Sequence, residues 1–235
     1  MNKRTFWIGG THAVHEAIKN PNRKIKQVIS NKTIDYLSNK IQTKIVDIKK
    51  IDKIFFKYKN FSHQNIAAEV ELLPKKELAN EIEKIKNIVM LDGITDVRNI
   101  GSIIRSAVAF NFDSLIIDKR IFDQTNPVIF KSSSGAIENI NIFEVTNLNS
   151  TLEYLKKNNF WSYALDSGGD SCLLSHDQFS KKNILILGSE GKGISKNLKQ
   201  KADFVYKITI TNKIDSLNVS NAAAIAFAKI YSSIR

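Results

Sequence analysis

The chain of 235 residues carries 35 Lys and Arg against 23 Asp and Glu, a net charge of +12, with 43% apolar residues and a single cysteine. That length supports a substantial core in one large or two small domains, and the basic excess favours a polyanionic partner. One cysteine excludes an internal disulfide, no apolar run nears the roughly 20 residues of a membrane span, and the four histidines with Cys172 lack zinc-ligand spacing, so neither a membrane nor a metal is expected.

Met1-Asn2-Lys3-Arg4 runs into Gly9-Gly10 and not into an apolar segment, so no signal peptide and a cytoplasmic location are expected. The first 71 residues hold 14 Lys/Arg and 6 Asp/Glu, which puts two-thirds of the charge excess in under a third of the chain. Thr11 is the expected N-cap of a helix whose Val14, Ala17 and Ile18 share a face. Strands are expected at 25–29, 44–46 and 65–72, the last exposed on one face, with helices at 35–40 and 49–55. This alternation gives a small α/β domain over 1–72. Residues 73–87 are charged, with apolar Leu78, Ile82 and Ile85, and read as a linker or a short docking helix. From 88 to 235, strands at 88–91, 114–117, 140–143, 161–164, 184–187 and 205–210 alternate with helices at 100–110, 127–132, 148–158 and 222–234. Fully apolar strands of this kind argue a parallel sheet covered on both faces.

The turn Gly188-Ser189-Glu190-Gly191-Lys192-Gly193 follows an apolar strand. It is not a P-loop, because Gly193 stands where Ser or Thr is needed, and it lacks the third glycine of a dinucleotide fingerprint. Ser216-Leu217-Asn218-Val219-Ser220 crowds hydroxyl and amide groups at the start of an Ala-rich helix, where free backbone N–H groups need acceptors. Two strand ends of this composition suit either a small polar ligand or an ordinary α/β edge. A third buried strand ends at Leu91-Asp92-Gly93 and opens a helix carrying Asn99 and Arg105. That arginine either makes a structural salt bridge, with Asp92 and Glu190 as candidates, or contacts a phosphate or ribose.

Asn99-x-Gly101-Ser102-Ile103-x-Arg105-Ser106-Ala107, Leu187-Gly188-Ser189-Glu190-Gly191-x-Gly193 and Ser216-Leu217-Asn218-Val219-Ser220 resemble, in that order, the three signature motifs of the SpoU/TrmH family of S-adenosyl-L-methionine-dependent RNA ribose 2′-O-methyltransferases. Gly10-x-His12-Ala13-Val14-x-Glu16-Ala17 and His63-Gln64-x-Ile66-Ala67-Ala68 are similar to the two ends of that family's small, ribosomal-protein-like substrate-binding domain. Lys131-Ser132-Ser133-Ser134-Gly135-Ala136-Ile137-Glu138 is similar to the stretch between motifs one and two. Nearly the whole chain is covered. The arrangement is most similar to the RlmB-like branch, which methylates a guanosine of large-subunit (23S-type) ribosomal RNA. Related branches act on transfer RNA, and a non-catalytic RNA-binding protein is the alternative from another class.

The resemblance implies a SPOUT-type parallel-sheet α/β domain with a C-terminal trefoil knot, a homodimer formed through it, and RNA, ribosomal RNA first, as the partner. It implies S-adenosyl-L-methionine contacts largely through backbone groups of Gly188, Ile208 and Leu217, with Leu187 and Ile210 beside them. The polar site set would be Asn99, Arg105, Glu190, Ser216 and Asn218. Two positions depart from the family: Ile208-Thr209-Ile210 stands where Ile-Pro-Met is usual, and Asn212 where glycine is usual. Asn tolerates positive φ better than other non-glycine residues, which would preserve that turn. A guanidinium with a pKa above about 12 is a poor base. Arg105 is therefore expected to fix a phosphate and stabilise the developing alkoxide. Asn99 would position the ribose, and Glu190 would orient Arg105 or its own loop. His63 and Gln64 either touch a base or cap a turn.

Overall fold

Short apolar runs punctuated by glycine and asparagine set the elements of this chain. The computed structural model describes residues 5–33 and 41–234. In chain order the N-terminal elements are β1 (Thr5–Gly9), α1 (Thr11–Lys19), β2 (Ile25–Ser30), β3 (Thr43–Ile45), α2 (Ile48–Phe55) and β4 (Ile66–Glu71). There follow α3 (Leu78–Glu81), β5 (Asn87–Asp92), α4 (Val97–Ala109), β6 (Ser114–Asp118), α5 (Pro127–Ser132), β7 (Asn141–Val145), α6 (Leu148–Lys157) and β8 (Trp161–Leu165). The last are β9 (Ser171–Cys172), β10 (Asn183–Gly188), α7 (Lys196–Lys201), β11 (Phe204–Lys207) and α8 (Val219–Ser233). The helix expected at 35–40 lies outside the described residues.

Two compact units result: one takes the chain up to Lys75 together with Asp123–Asn139, the other takes Lys76–Phe122 and Ile140 onward. In the first, the strand order is β1-β4-β2-β3, with β4 antiparallel to both neighbours and β2 parallel to β3. Ile66, Ala67, Ala68 and Val70 of β4 are all buried. The exposed face expected for this strand is absent, because β4 is central, and Thr5–Gly9 supplies a strand on its far side that the sequence pattern did not suggest. Gly10, at φ +104°, caps α1 in place of the expected Thr11. The Thr11 N–H is instead accepted by Gln64 Oε1 at 3.1 Å. His63 is 8% exposed; its Nε2 meets Asp52 at 2.8 Å and its Nδ1 accepts from the Asn65 N–H at 3.0 Å. Both residues therefore cap and brace turns.

The stretch 123–139, expected to belong with the second domain, packs within the first unit. Asn126 caps α5, Pro127 fixes its first turn, and a 3-10 turn spans Ala136–Asn139. What holds it is a buried ion pair. Arg23 Nε lies 3.0 and 3.1 Å from the two Glu138 oxygens, Nη2 lies 3.0 Å from Oε1, and Nη1 donates to the Glu71 carbonyl at 2.7 Å. The guanidinium also sits over the Phe6 and Phe130 rings at 5.9 and 5.7 Å. Removing one partner strands the other charge, so Arg23→Ala or Glu138→Ala alone should lower stability by about 3–5 kcal/mol. An apolar replacement of both should cost clearly less, as measured by chemical denaturation.

The second unit is a seven-stranded parallel sheet in the order β7-β6-β5-β10-β8-β11-β9. Alternate residues point to opposite faces, and here both faces are covered. Ile88, Met90, Ile184 and Ile186 pack with Leu152, Leu155, Phe160 and Leu198. Val89, Leu91, Leu185 and Leu187, on the other face, are 0–1% exposed as well. Ile82 and Ile85 join the first cluster and Leu78 packs on it, so the apolar positions of the expected linker pack on this unit. β11 ends at Lys207, three residues short of the expected 210, because its outer partner β9 offers only Ser171 and Cys172. No helix of the described residues is long and apolar enough to cross a membrane.

Candidate active site

In a parallel sheet, ligands gather beyond the carboxyl ends of the strands where the winding direction reverses. β6 and β7 lie on one side of β5, and β8, β11 and β9 lie beyond β10, so the reversal falls between β5 and β10. Their last residues, Asp92 and Gly188, are register partners. Past Gly188 the chain doubles back: Gly193, at φ +64°, donates its N–H to the Ser189 carbonyl at 2.9 Å. A Cβ on Gly188 would stand 2.1 Å from the Gly193 carbonyl carbon, so only glycine permits this return. Asp92 Oδ2 then takes the Ser195 N–H at 2.7 Å and ties the two strand ends together.

Three side chains close a ring over this junction. Asn218 caps α8 by accepting from the Ser220 N–H at 2.8 Å and the Ser220 hydroxyl at 2.6 Å. That bond fixes the amide's orientation. Its Nδ2 therefore faces outward and donates to Asn99 Oδ1 at 3.1 Å and to Glu190 Oε1 at 2.7 Å. Asn99 Nδ2 completes the ring by donating to the same Glu190 oxygen at 3.0 Å. Asp96 caps α4 through the Arg98 N–H at 2.7 Å and so sets the start of the helix that carries Asn99. Each sequence motif contributes one member, and every donor has an acceptor of matching type.

Arg105 and Ser216 stand outside the ring. Both are exposed, and Arg105 has no hydrogen bond or ion pair among the described residues. Six residues past Asn99, it lies about 9 Å further along the α4 axis. The Glu190–Arg105 link expected from the sequence is not formed, because Glu190 is engaged by the two asparagines. The alternative salt bridge to Asp92 is absent too.

Beside the ring, Leu187 is buried and Ile208, Ile210 and Leu217 are half-buried. Outside helices and ladders, no backbone–backbone hydrogen bond among the described residues involves 208–217. The early end of β11 leaves carbonyls and amides here available, apart from the Thr209 N–H, which the Cys172 sulfur takes. Apolar side chains flanking unpaired backbone groups fit a flat heteroaromatic group, gripped on its faces and read at its edge. A separate polar cleft of about 320 Å³ lies on the same rim, lined by Asp92, Asp118, Arg120, Asn147 and Ser195 among others. None of the apolar loop residues line it.

Sequence reasoning missed Cys172. The Thr209 hydroxyl and N–H, then the N–H groups of Leu174 and Ser175, hydrogen-bond its sulfur and hold its pKa down to about 7. Thr209 thus uses both groups that a proline at this position would lack. Asn212 does not adopt positive φ, so the departure from glycine needs no strained backbone. Alkylation of Cys172 should reach half its plateau rate near pH 7, and Thr209→Pro should move that midpoint upward. An unmoved midpoint would show that the thiolate is not held from this loop.

Comparison with known proteins agrees with this geometry. Residues 86–228 match the model of the SpoU rRNA Methylase family, and residues 7–75 match that of the RNA 2′-O ribose methyltransferase substrate-binding domain. A tRNA/rRNA methyltransferase of Borreliella burgdorferi, itself uncharacterized, is 33% identical over 220 residues, covering 87% of this chain and 94% of its own. A Staphylococcus aureus protein named for the TrmH family of tRNA/rRNA methyltransferases is 33% identical over 244 residues, covering 95% and 94%. The SpoU methyltransferase AviRb from Streptomyces viridochromogenes, solved in complex with AdoMet, shares the fold at a TM-score of 0.79 and 21% identity, covering 97% of this chain and 89% of that one. With both of its regions matched and its three motif loops meeting at one point of the sheet, the chain belongs to the SpoU rRNA methylase family of RNA 2′-O ribose methyltransferases.

Proposed function

We propose that the protein methylates the ribose 2′-hydroxyl of a guanosine in large-subunit ribosomal RNA, with S-adenosyl-L-methionine as donor, in the cytoplasm. The Asn99–Glu190–Asn218 ring beside the 208–217 loop, where Ile208 and Leu217 have no backbone partner outside helices and ladders among the described residues, carries this reading. The donor bound to AviRb supports the choice of cofactor. Backbone groups of Gly188, Ile208 and Leu217, between Leu187 and Ile210, would hold it. When bound it supplies an electrophilic methyl carbon on a sulfonium. The 2′-oxygen bonds to that carbon as the carbon–sulfur bond breaks, and the hydroxyl proton leaves to a neighbouring phosphate or to water.

The chain's residues act on the nucleophile. Asn99, held by Glu190 and Asn218, orients the ribose, which is where most of the rate gain of such a transfer arises. Ser216, exposed at the foot of the third motif, adds a hydroxyl beside the sugar. Arg105, exposed and unpaired among the described residues, meets the adjacent phosphate with two parallel hydrogen bonds and stabilises negative charge on the oxygen. A trefoil knot in the carboxyl-terminal segment, and a homodimer formed through it, belong to the same proposal. The test is methylation of purified ribosomal and transfer RNA with labelled donor, followed by mapping of the modified ribose. Label on a ribosomal guanosine 2′-oxygen is the expected result, and label on transfer RNA alone would redirect the assignment.

A further inference from the structure

Phe56, at the carboxyl end of α2, is 89% exposed, although its neighbour Phe55 is 3% exposed in the core. At about 100° per residue, Lys49, Lys53 and Phe56 fall on one side of this helix, with Lys50 and Lys57 at its margin. All four of those lysines are exposed. The one carboxylate of the helix, Asp52, shares that side at 58% side-chain exposure and meets His63 Nε2 at 2.8 Å. The N-cap Asp47 accepts the Lys49 N–H at 2.8 Å. What faces outward is an exposed aromatic ring on a surface where four lysines outnumber one carboxylate, the Lys57 ammonium lying over the Tyr58 ring at 4.9 Å.

An exposed ring among like charges is what single-stranded nucleic acid requires: a π-face for a base, and cations at the spacing of the flanking phosphates. Charge complementarity selects RNA over a protein partner, because an apolar protein patch would have to desolvate the lysines without neutralising them. Resting on the RNA methyltransferase reading, we infer that Phe56 stacks an unpaired base of the RNA substrate while Lys49, Lys53 and Lys57 contact its backbone. This surface selects RNA with a loop or bulge over continuous duplex.

The experiment uses the full chain and a single-stranded ribosomal RNA fragment, with binding followed by anisotropy across a salt series. Phe56→Ala should weaken binding roughly 5- to 100-fold with an unchanged salt slope, as expected for the loss of one stacked base. Phe56→Trp should restore affinity, and its indole fluorescence should be quenched on binding. Lys53→Gln should instead lower the slope of log K against log salt by about 0.7. Phe56→Ala binding RNA like the wild type, or a Phe56→Trp indole unchanged by RNA, would overturn the inference. So would loss of affinity confined to protein-bearing large subunits, which would assign the patch to a ribosomal protein. If the wild type itself neither binds nor methylates RNA, the parent reading fails; if it does both and Phe56→Ala matches it, only the stacking surface fails.

Discussion

Asn218→Asp is expected to reduce methyl transfer at least about 100-fold, the scale of losing an oriented donor in an active site. It should leave the helix cap itself intact, because Asp caps a helix as well as Asn, so any loss of stability comes from the Glu190 side. The two effects separate because Asn218 uses opposite ends of one amide: its oxygen accepts from Ser220, and its nitrogen donates to Asn99 and Glu190. A carboxylate keeps the first and turns the second into repulsion against Glu190, whose oxygen lay 2.7 Å from the lost nitrogen. Two carboxylates at that distance cannot both ionise freely, so one pKa rises above its unfolded value. The penalty is then absent below the unfolded pKa, grows as pH rises from there to the folded one, and is constant above it. Activity of the variant should therefore recover in part as pH falls toward about 5, opposite to any loss from donor chemistry. Asn218→Ala should lose the ring and the cap together, adding about 1 kcal/mol of destabilisation. If Asn218→Asp keeps more than a third of wild-type turnover at neutral pH, the ring does not serve catalysis.

Elements written in local pattern were legible in the sequence, and those decided by distant partners were not. Short apolar runs bounded by turn residues, such as Ile184 to Leu187, read as strands buried on two faces, and Asn126 before Pro127 starts α5 where expected. The asparagine that caps α8 was readable from hydroxyl and amide crowding at its start, yet its bonds to Asn99 and Glu190 join residues 119 and 28 positions apart. The same holds for Gln64, which caps α1 across 53 positions, and for Glu138, which reaches Arg23 across 115. No window of sequence contains both partners. β9 is two residues long, too short for any periodicity, and its brevity is what ends β11 early. Resemblance named five polar residues, three of which meet in the ring, but it could not say that Glu190 would serve the two asparagines and leave Arg105 free.

Arg105→Ala should lower turnover by about 100- to 1000-fold, in the range seen when one charge-stabilising donor is removed. Its folded stability should stay at the wild-type value, because the guanidinium is exposed and bound to nothing among the described residues. Surface substitutions of that kind usually stay within about 0.5 kcal/mol. Arg105→Lys decides what the group does. A lysine retains the charge but not the planar fork, so a bidentate grip on phosphate would be lost almost as completely as in Arg105→Ala. A purely electrostatic role would survive. The salt slope of RNA binding gives a second readout, since loss of one phosphate contact should reduce it by about 0.7–0.9. Donor binding, proposed for the 187–217 loops, should be unchanged in both variants. Near-wild-type turnover in Arg105→Lys would therefore keep the cation and discard the fork. Near-wild-type turnover in Arg105→Ala would leave the Asn99–Glu190–Asn218 ring to orient the ribose unaided.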